Sequence, residues 1–84
     1  MTQADDELVA EGAALEAVRQ ELLLTNLDLW YAYFAVGGDL PYGTMRDYLA
    51  GSTTTSRREH NRLALVLNEQ FLDLGSDDSV PYLA

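Results

Sequence analysis

The chain has 84 residues, 48% of them hydrophobic, and a formal net charge of −9 at pH 7. This length predicts a single domain over residues 1–84, and the hydrophobic content argues against wholesale disorder. The absence of cysteine and lysine excludes disulfides, cysteine-based zinc sites and Schiff-base chemistry.

Residues 5–24 are predicted to form the first helix. Leu8, Leu15 and Leu22 recur every seven residues along this segment, and Val18 falls between them at helical spacing. A heptad of this kind is typical of a helix that packs against another helix.

The second helix is predicted over residues 26–36. Thr25 and Asp28 match a capping signature, which favours a break before this helix. The alternative is one unbroken helix that tolerates Thr25 in its interior. The segment is apolar nearly all round, so we expect it to lie centrally in the core or to face a partner. Gly37-Gly38 is expected to end it.

A short third helix is predicted over residues 40–50. Asp39 or Leu40 is expected to cap this helix, and Pro41 supplies a backbone angle that suits a first helical turn. Gly51 is expected to end it.

The fourth helix is predicted over residues 57–74. Ser56 and Glu59 fit a capping box, in which each side chain binds the other residue's backbone amide. Gly75 follows the last turn, and the apolar tail at residues 80–83 is expected to fold back. Together these elements predict an all-α fold, a small bundle of about four helices.

Four of the five arginines fall within residues 46–62, while acidic residues crowd both flanks. Arginines at a helix N-terminus beside a hydroxyl can bind an anion. The candidate binding site for a phosphate or an acidic partner is therefore Ser56, Arg57, Arg58 and Arg62. Pairing of these arginines with the chain's own N-terminal acids is the leading alternative.

The aromatic second helix and the leucine repeat also supply candidate interface residues. Trp30, Tyr31 and Tyr33 cannot all point inward from one helix of so small a domain, and such residues are enriched at interface hot spots. We therefore expect a homodimer or a protein partner, with core packing as the alternative. The candidate interface residues are Leu8, Leu15, Val18, Leu22, Trp30, Tyr31 and Tyr33.

Catalytic chemistry is not indicated. The single histidine, His60, is expected on or near the surface, and Asp77-Asp78 is expected to be solvated. No pair of carboxylates has a base or nucleophile beside it, so we predict no catalytic residue, metal, cofactor or small-molecule substrate. The acidic N-terminus and the lack of an apolar run of about 20 residues favour a cytoplasmic protein without a membrane segment.

Six short sequence strings within residues 25–84 carry a resemblance to other proteins. They are Leu29-Trp30-Tyr31, Gly37-Gly38, Tyr48-Leu49-Ala50-Gly51, Glu59-His60-Asn61, Leu67-Asn68-Glu69 and Val80-Pro81-Tyr82. These strings resemble a family of short, uncharacterised helical proteins of actinobacterial type. The resemblance implies a bacterial regulatory or accessory protein.

The leading prediction is a non-enzymatic regulatory or protein–protein interaction module. A nucleic-acid-binding regulator is an alternative, because a short helix, a turn and a basic helix outline a helix-turn-helix. The net charge of −9 disfavours this, since it repels a nucleic-acid duplex. A further alternative is an acidic inhibitor that imitates nucleic acid.

Overall fold

The computed structural model describes residues 6–84. Among these residues it has four helices and a two-stranded antiparallel sheet, which confirms the four predicted helices and corrects the strictly all-α prediction. The elements are β1 (Leu8–Val9), α1 (Gly12–Glu21), α2 (Asn26–Ala35), α3 (Tyr42–Leu49), β2 (Thr55–Ser56) and α4 (Arg57–Asp73). None of the four is long and apolar enough to cross a bilayer.

The first helix begins later than predicted. Leu8 lies in β1, opposite Ser56, and the carbonyl of Glu7 accepts a 2.8 Å hydrogen bond from the Arg57 amide. Leu8 is therefore not part of a helical heptad with Leu15 and Leu22. The strand that pairs with this backbone is distant in sequence, so local periodicity did not reveal it. The predicted start at residue 5 lies outside the described residues.

The predicted break at Thr25 is confirmed. The Thr25 hydroxyl accepts a 3.0 Å bond from the Asp28 amide, and the Asp28 carboxylate accepts a 3.3 Å bond from the Thr25 amide. This reciprocal pair satisfies two backbone donors that would otherwise lack a partner at the helix start. The chain therefore forms two helices here.

The third helix begins two residues later than predicted, at Tyr42 with Pro41 in the N-cap position. Leu40 precedes the helix because both of its backbone groups have other partners. Its amide donates to the Tyr33 hydroxyl at 3.0 Å, and its carbonyl accepts from the Trp30 indole at 3.0 Å.

The fourth helix has only half of its predicted capping box. The Ser56 hydroxyl accepts a 3.2 Å bond from the Glu59 amide, as predicted. The Glu59 carboxylate does not return the bond to Ser56, because it turns inward and accepts from the Tyr33 hydroxyl and the Asp39 amide.

All four helices end in the same backbone motif. At each end the residue after the C-cap has a positive φ, and two backbone bonds close the last turn as in a Schellman motif. Glycine occupies this position in three helices, at residues 37, 51 and 75. The exception is Leu23, which has a φ of 60° and is 88% exposed.

We predict that Leu23→Gly raises the free energy of unfolding by about 0.5–1 kcal/mol, because glycine avoids the steric cost of the left-handed conformation. Ala17→Gly, at an exposed position within the same helix, should lower it by about 1 kcal/mol. Urea unfolding of both variants measures the two effects. A loss of stability in Leu23→Gly equal to that in Ala17→Gly would contradict the prediction.

The core lies where α1 and α2 each pack against both α3 and α4. Val80 also belongs to it, which confirms that the C-terminal tail folds back onto the helices. The buried hydrophobic residues are Leu15, Leu29, Tyr33, Met45, Tyr48, Leu49, Leu63, Ala64, Val66, Leu67, Phe71 and Val80.

Helices α1 and α3 approach each other closely at Gly12, the first residue of α1. A Cβ atom there would overlap the backbone carbonyl of Tyr48 at the end of α3. Glycine therefore lets α1 approach the end of α3 this closely. Gly43 in α3 differs, because a Cβ atom there would meet no atom within 4 Å.

The two helical glycines should therefore respond in opposite ways to alanine. Gly12→Ala should lower the free energy of unfolding by about 1–3 kcal/mol, since the backbones of α1 and α3 must move apart to accommodate the added Cβ atom. Gly43→Ala should raise it by up to about 1 kcal/mol through helix propensity. Thermal unfolding monitored by circular dichroism checks both, and equal responses would refute the proposed contact between α1 and α3.

Candidate functional site

A buried carboxylate lies at the start of α4. Glu59 is only 3% exposed, although an acidic side chain is seldom buried unless it is paired. One carboxylate oxygen, Oε1, accepts from the Tyr33 hydroxyl and, at 2.9 Å, from the Asp39 backbone amide. The carboxylate therefore joins α4 to α2 and to the loop that follows α2.

The Tyr33 hydroxyl is shared among several partners. It donates to Glu59 and accepts from the backbone amides of Asp39 at 3.1 Å and Leu40 at 3.0 Å. We refer to Tyr33, Glu59 and these two amides as the Tyr33–Glu59 network. A Cβ atom at Gly38 would overlap the Tyr33 ring, so the loop crosses directly over that ring.

Two arginines contact the other carboxylate oxygen of Glu59. Its Oε2 lies 3.4 Å from Arg58 Nε and 3.5 Å from Arg62 Nη1. Arg62 also donates to the carbonyl of Gly37 and lies 3.9 Å from an Asp39 carboxylate oxygen. The shared acid offsets the repulsion expected between two arginines four residues apart.

The third arginine of the predicted binding site is also paired within the chain. Arg57 Nη2 lies 2.5 Å from a Glu7 carboxylate oxygen, an N-terminal acid of the kind that the internal-pairing interpretation invoked. All three arginines thus contact the protein's own acids. Arg58 remains the most exposed of the three, with 47% of its side chain accessible.

The hydrogen bonds keep Glu59 ionised. Burial by itself raises the pKa of Glu59, but bonds from the Tyr33 hydroxyl and the Asp39 amide, with Arg62 and Arg58 nearby, lower the pKa below its ordinary value. Burial and the adjacent carboxylate raise the pKa of Tyr33, so its hydroxyl stays protonated as the donor.

This arrangement predicts a specific acid sensitivity. Because the folded-state pKa of Glu59 is lowered from 4.5, its stabilisation is present above that value and is lost as pH falls through the folded-state pKa. Glu59→Gln cannot titrate, so the stability gap between it and wild type should narrow from about pH 6 to about pH 3. Urea unfolding across this range measures the gap.

The matched control is Glu69→Gln, which removes one exposed carboxylate from the same helix. The free energy of unfolding of this variant should fall with decreasing pH as it does in wild type. If the Glu59→Gln curve instead ran parallel to wild type over the whole range, the ionised network would be contradicted.

His60 is buried at 2% exposure, so the prediction of a surface position is wrong. Its Nδ1 lies 2.5 Å from the Tyr48 hydroxyl, and the two rings meet edge to face. Burial lowers the pKa of His60, opposed in part by Glu11, and burial raises the pKa of Tyr48 to about 12. The pair links α4 to α3, and both side chains lie in the interior of the fold.

The outer face of α2 exposes a contiguous apolar surface. Tyr31 is 60% exposed, Phe34 is 61% exposed and Leu27 is 45% exposed. Spacings of four and three residues place them on one side of the helix. Half-buried Trp30 lies 5.5 Å from the Tyr31 ring and 5.4 Å from the Phe34 ring. We call Leu27, Trp30, Tyr31 and Phe34 the α2 patch.

The structure divides the predicted interface residues. Leu15 and Tyr33 are fully buried in the chain's own core, which corrects their assignment to an interface. Val18 and Leu22 are partly buried against that core, and Leu8 is exposed in β1. Only Trp30 and Tyr31 of this set contribute to the α2 patch.

Leu27 and Phe34 were missed by the sequence prediction. Their spacing relative to Tyr31 is the signal that could have identified them, but it is masked because nearly every residue of α2 is apolar. The face of α2 that is left exposed lies opposite the inward-pointing Tyr33. The direction of Tyr33 in turn depends on its bond to Glu59, which is distant in sequence.

The border of the α2 patch carries a cation. The Tyr42 ring lies 6.1 Å from the Trp30 ring in an edge-to-face arrangement, and the Arg46 guanidinium lies 5.8 Å from the Tyr42 ring centre. Arg46 is exposed. The arrangement offers apolar contact area with one positive charge beside it.

Comparisons with known proteins assign no family. The chain matches no protein-family model, no curated protein and no solved structure. Within residues 6–84 no group of three His, Cys, Asp or Glu side chains is placed to hold a metal ion.

Proposed function

We propose that this chain is a non-enzymatic interaction module that associates with a second copy of itself through the α2 patch. The supporting observation is the exposure of Tyr31 and Phe34 on one helix face. Large aromatic side chains grouped on a surface are typical of the energetic centre of a protein interface. Trp30 supports them from below, and its indole is fixed by the bond to Leu40.

The polar groups of the molecule support a binding role over a catalytic one. Glu59 and Tyr33 bond each other inside the fold, and His60 and Tyr48 do the same. These groups hold helices together. A catalytic acid or base needs access to a substrate proton, which these buried groups lack.

Exposed arginines of one copy lie where acids of the other can reach them. Two copies that each carry a net charge of −9 repel each other at long range, so the apolar α2 patch supplies the association free energy and carboxylates of the second copy bind the exposed Arg46 beside the patch and Arg58. Charges at the rim of an interface orient and accelerate encounter more than they add affinity. In this proposal Arg57 and Arg62 stabilise the fold, and Arg46 and Arg58 contact the acidic partner.

Nucleic-acid binding is less well supported, because all three predicted contact arginines pair with the chain's own acids. The regulatory role, the cytoplasmic location and the resemblance to short actinobacterial-type proteins stay predictions.

Size-exclusion chromatography with light scattering tests the proposal. Wild type should show twice the chain mass at high concentration, and Tyr31→Ser with Phe34→Ser should shift it to the mass of one chain. Each truncated hot-spot side chain is expected to cost about 2 kcal/mol of association free energy. The paired control, Tyr31→Leu with Phe34→Leu, keeps an apolar face and should keep most of the association.

The serine substitutions should leave the fold intact, because both side chains are largely exposed. Loss of their ring contacts with Trp30 should lower the free energy of unfolding by at most about 1.5 kcal/mol for each pair. A wild-type chain that stays monomeric at every concentration, or a dimer unaffected by serine, would contradict association through the α2 patch.

A further inference from the structure

The C-terminal segment lies on α4 through an unusual set of contacts. The side-chain Nδ2 of Asn68 donates to the backbone carbonyl of Val80 at 3.0 Å, and the side-chain Oδ1 accepts from the backbone amide of Val80 at 2.6 Å. Asn61 repeats the arrangement with Leu83, at 3.0 Å and 2.8 Å. Each asparagine therefore pairs with both backbone groups of one residue, as a neighbouring strand would.

The two asparagines match the repeat of an extended chain. They are seven residues apart on α4, a rise of about 10.5 Å along a helix. Val80 and Leu83 are three residues apart, which spans about 10 Å in an extended segment. The tail runs antiparallel to α4, and its backbone groups fall into register with the two side chains.

These contacts recognise main chain much more than side chains. Within residues 76–84, Val80 alone is buried, Leu83 is half-buried, and Pro81 and Tyr82 are exposed. The proline also favours an extended conformation at Val80 before any contact forms. The segment therefore has the character of a bound linear peptide with one apolar anchor.

The connection to α4 permits release of the segment. Gly75 and Ser76 close the last turn of the helix, with a φ of 71° at Gly75, and residues 77–79 follow with a single bond from the Asp78 amide to the Ser76 hydroxyl. Four hydrogen bonds and one buried side chain oppose the conformational entropy of the whole segment. Terminal segments held in this way open locally without unfolding of the core.

We propose that the α4 face around Asn61 and Asn68 is a binding site for an extended peptide of the type Val-Pro-x-Leu. Residues 80–83 occupy this site within the chain and keep it closed until they are displaced. The ligand is a linear segment of another polypeptide with a small β-branched anchor. This site is separate from the α2 patch and does not depend on the proposed self-association.

The test uses the full chain with Val80→Asp, which places a charge at the buried anchor position and releases the tail. The probe is a fluorescein-labelled peptide with the sequence of residues 76–84, followed by fluorescence anisotropy. The variant should bind the peptide saturably. Wild type should bind it at least about tenfold more weakly, because its own tail competes at a millimolar effective concentration.

Two controls define the site. Adding Asn61→Ala and Asn68→Ala to Val80→Asp should abolish peptide binding, and a peptide with aspartate in place of its valine should not bind. No saturable binding by folded Val80→Asp, or equal binding when both asparagines are replaced, would overturn the proposal. A wild-type dimer that disappears on replacing the two asparagines would support the site and identify a second copy's tail as the bound segment.

Hydrogen exchange of wild type provides a measurement that does not need the variant to fold. The amides of Val80 and Leu83 should exchange through local opening, faster than the α4 amides of Leu63 and Leu67 and with little dependence on denaturant. If they exchange only when α4 unfolds, the tail is an integral part of the core and the proposal fails.

Discussion

The hydrogen bond between Tyr33 and Glu59 is the constraint on which the arrangement of this molecule depends. It fixes the rotation of α2 about its axis, because the Tyr33 side chain must point toward the buried Glu59 carboxylate in order to bond it. Once Tyr33 points inward, helical geometry directs Leu27, Tyr31 and Phe34 away from the core. The exposed apolar face is therefore a consequence of a polar contact inside the fold.

The first turn of α4 contacts two other helices through two consecutive polar residues. Glu59 contacts α2 and its following loop, while His60 contacts Tyr48 of α3. Leaving either buried partner unpaired would cost about 1–3 kcal/mol, and more where a charge is involved. Farther along α4, Asn61 and Asn68 hold the C-terminal segment. One helix thus carries the specific contacts to three other parts of the chain.

Local chemistry made parts of the fold predictable from sequence. Thr25 and Asp28 determine a helix start within four residues, and glycine after a helix marks its end. The strand at Leu8 and the inward turn of Glu59 could not be predicted, because their partners are about 25 to 50 residues away. The α2 patch was only partly predicted for the same reason. A helix that is apolar nearly all round does not indicate which of its faces is buried, and here the bond to the distant Glu59 determines that face.

A double-mutant cycle on the unfolding free energy tests this account most directly. The variants are Tyr33→Phe, Glu59→Leu and the two combined, measured by urea unfolding at neutral pH. If the pair fixes α2 as described, the interaction energy should be about 1–3 kcal/mol, because each substitution removes the same bond. Effects that add to within about 0.5 kcal/mol would show that the two side chains act independently and would contradict the account.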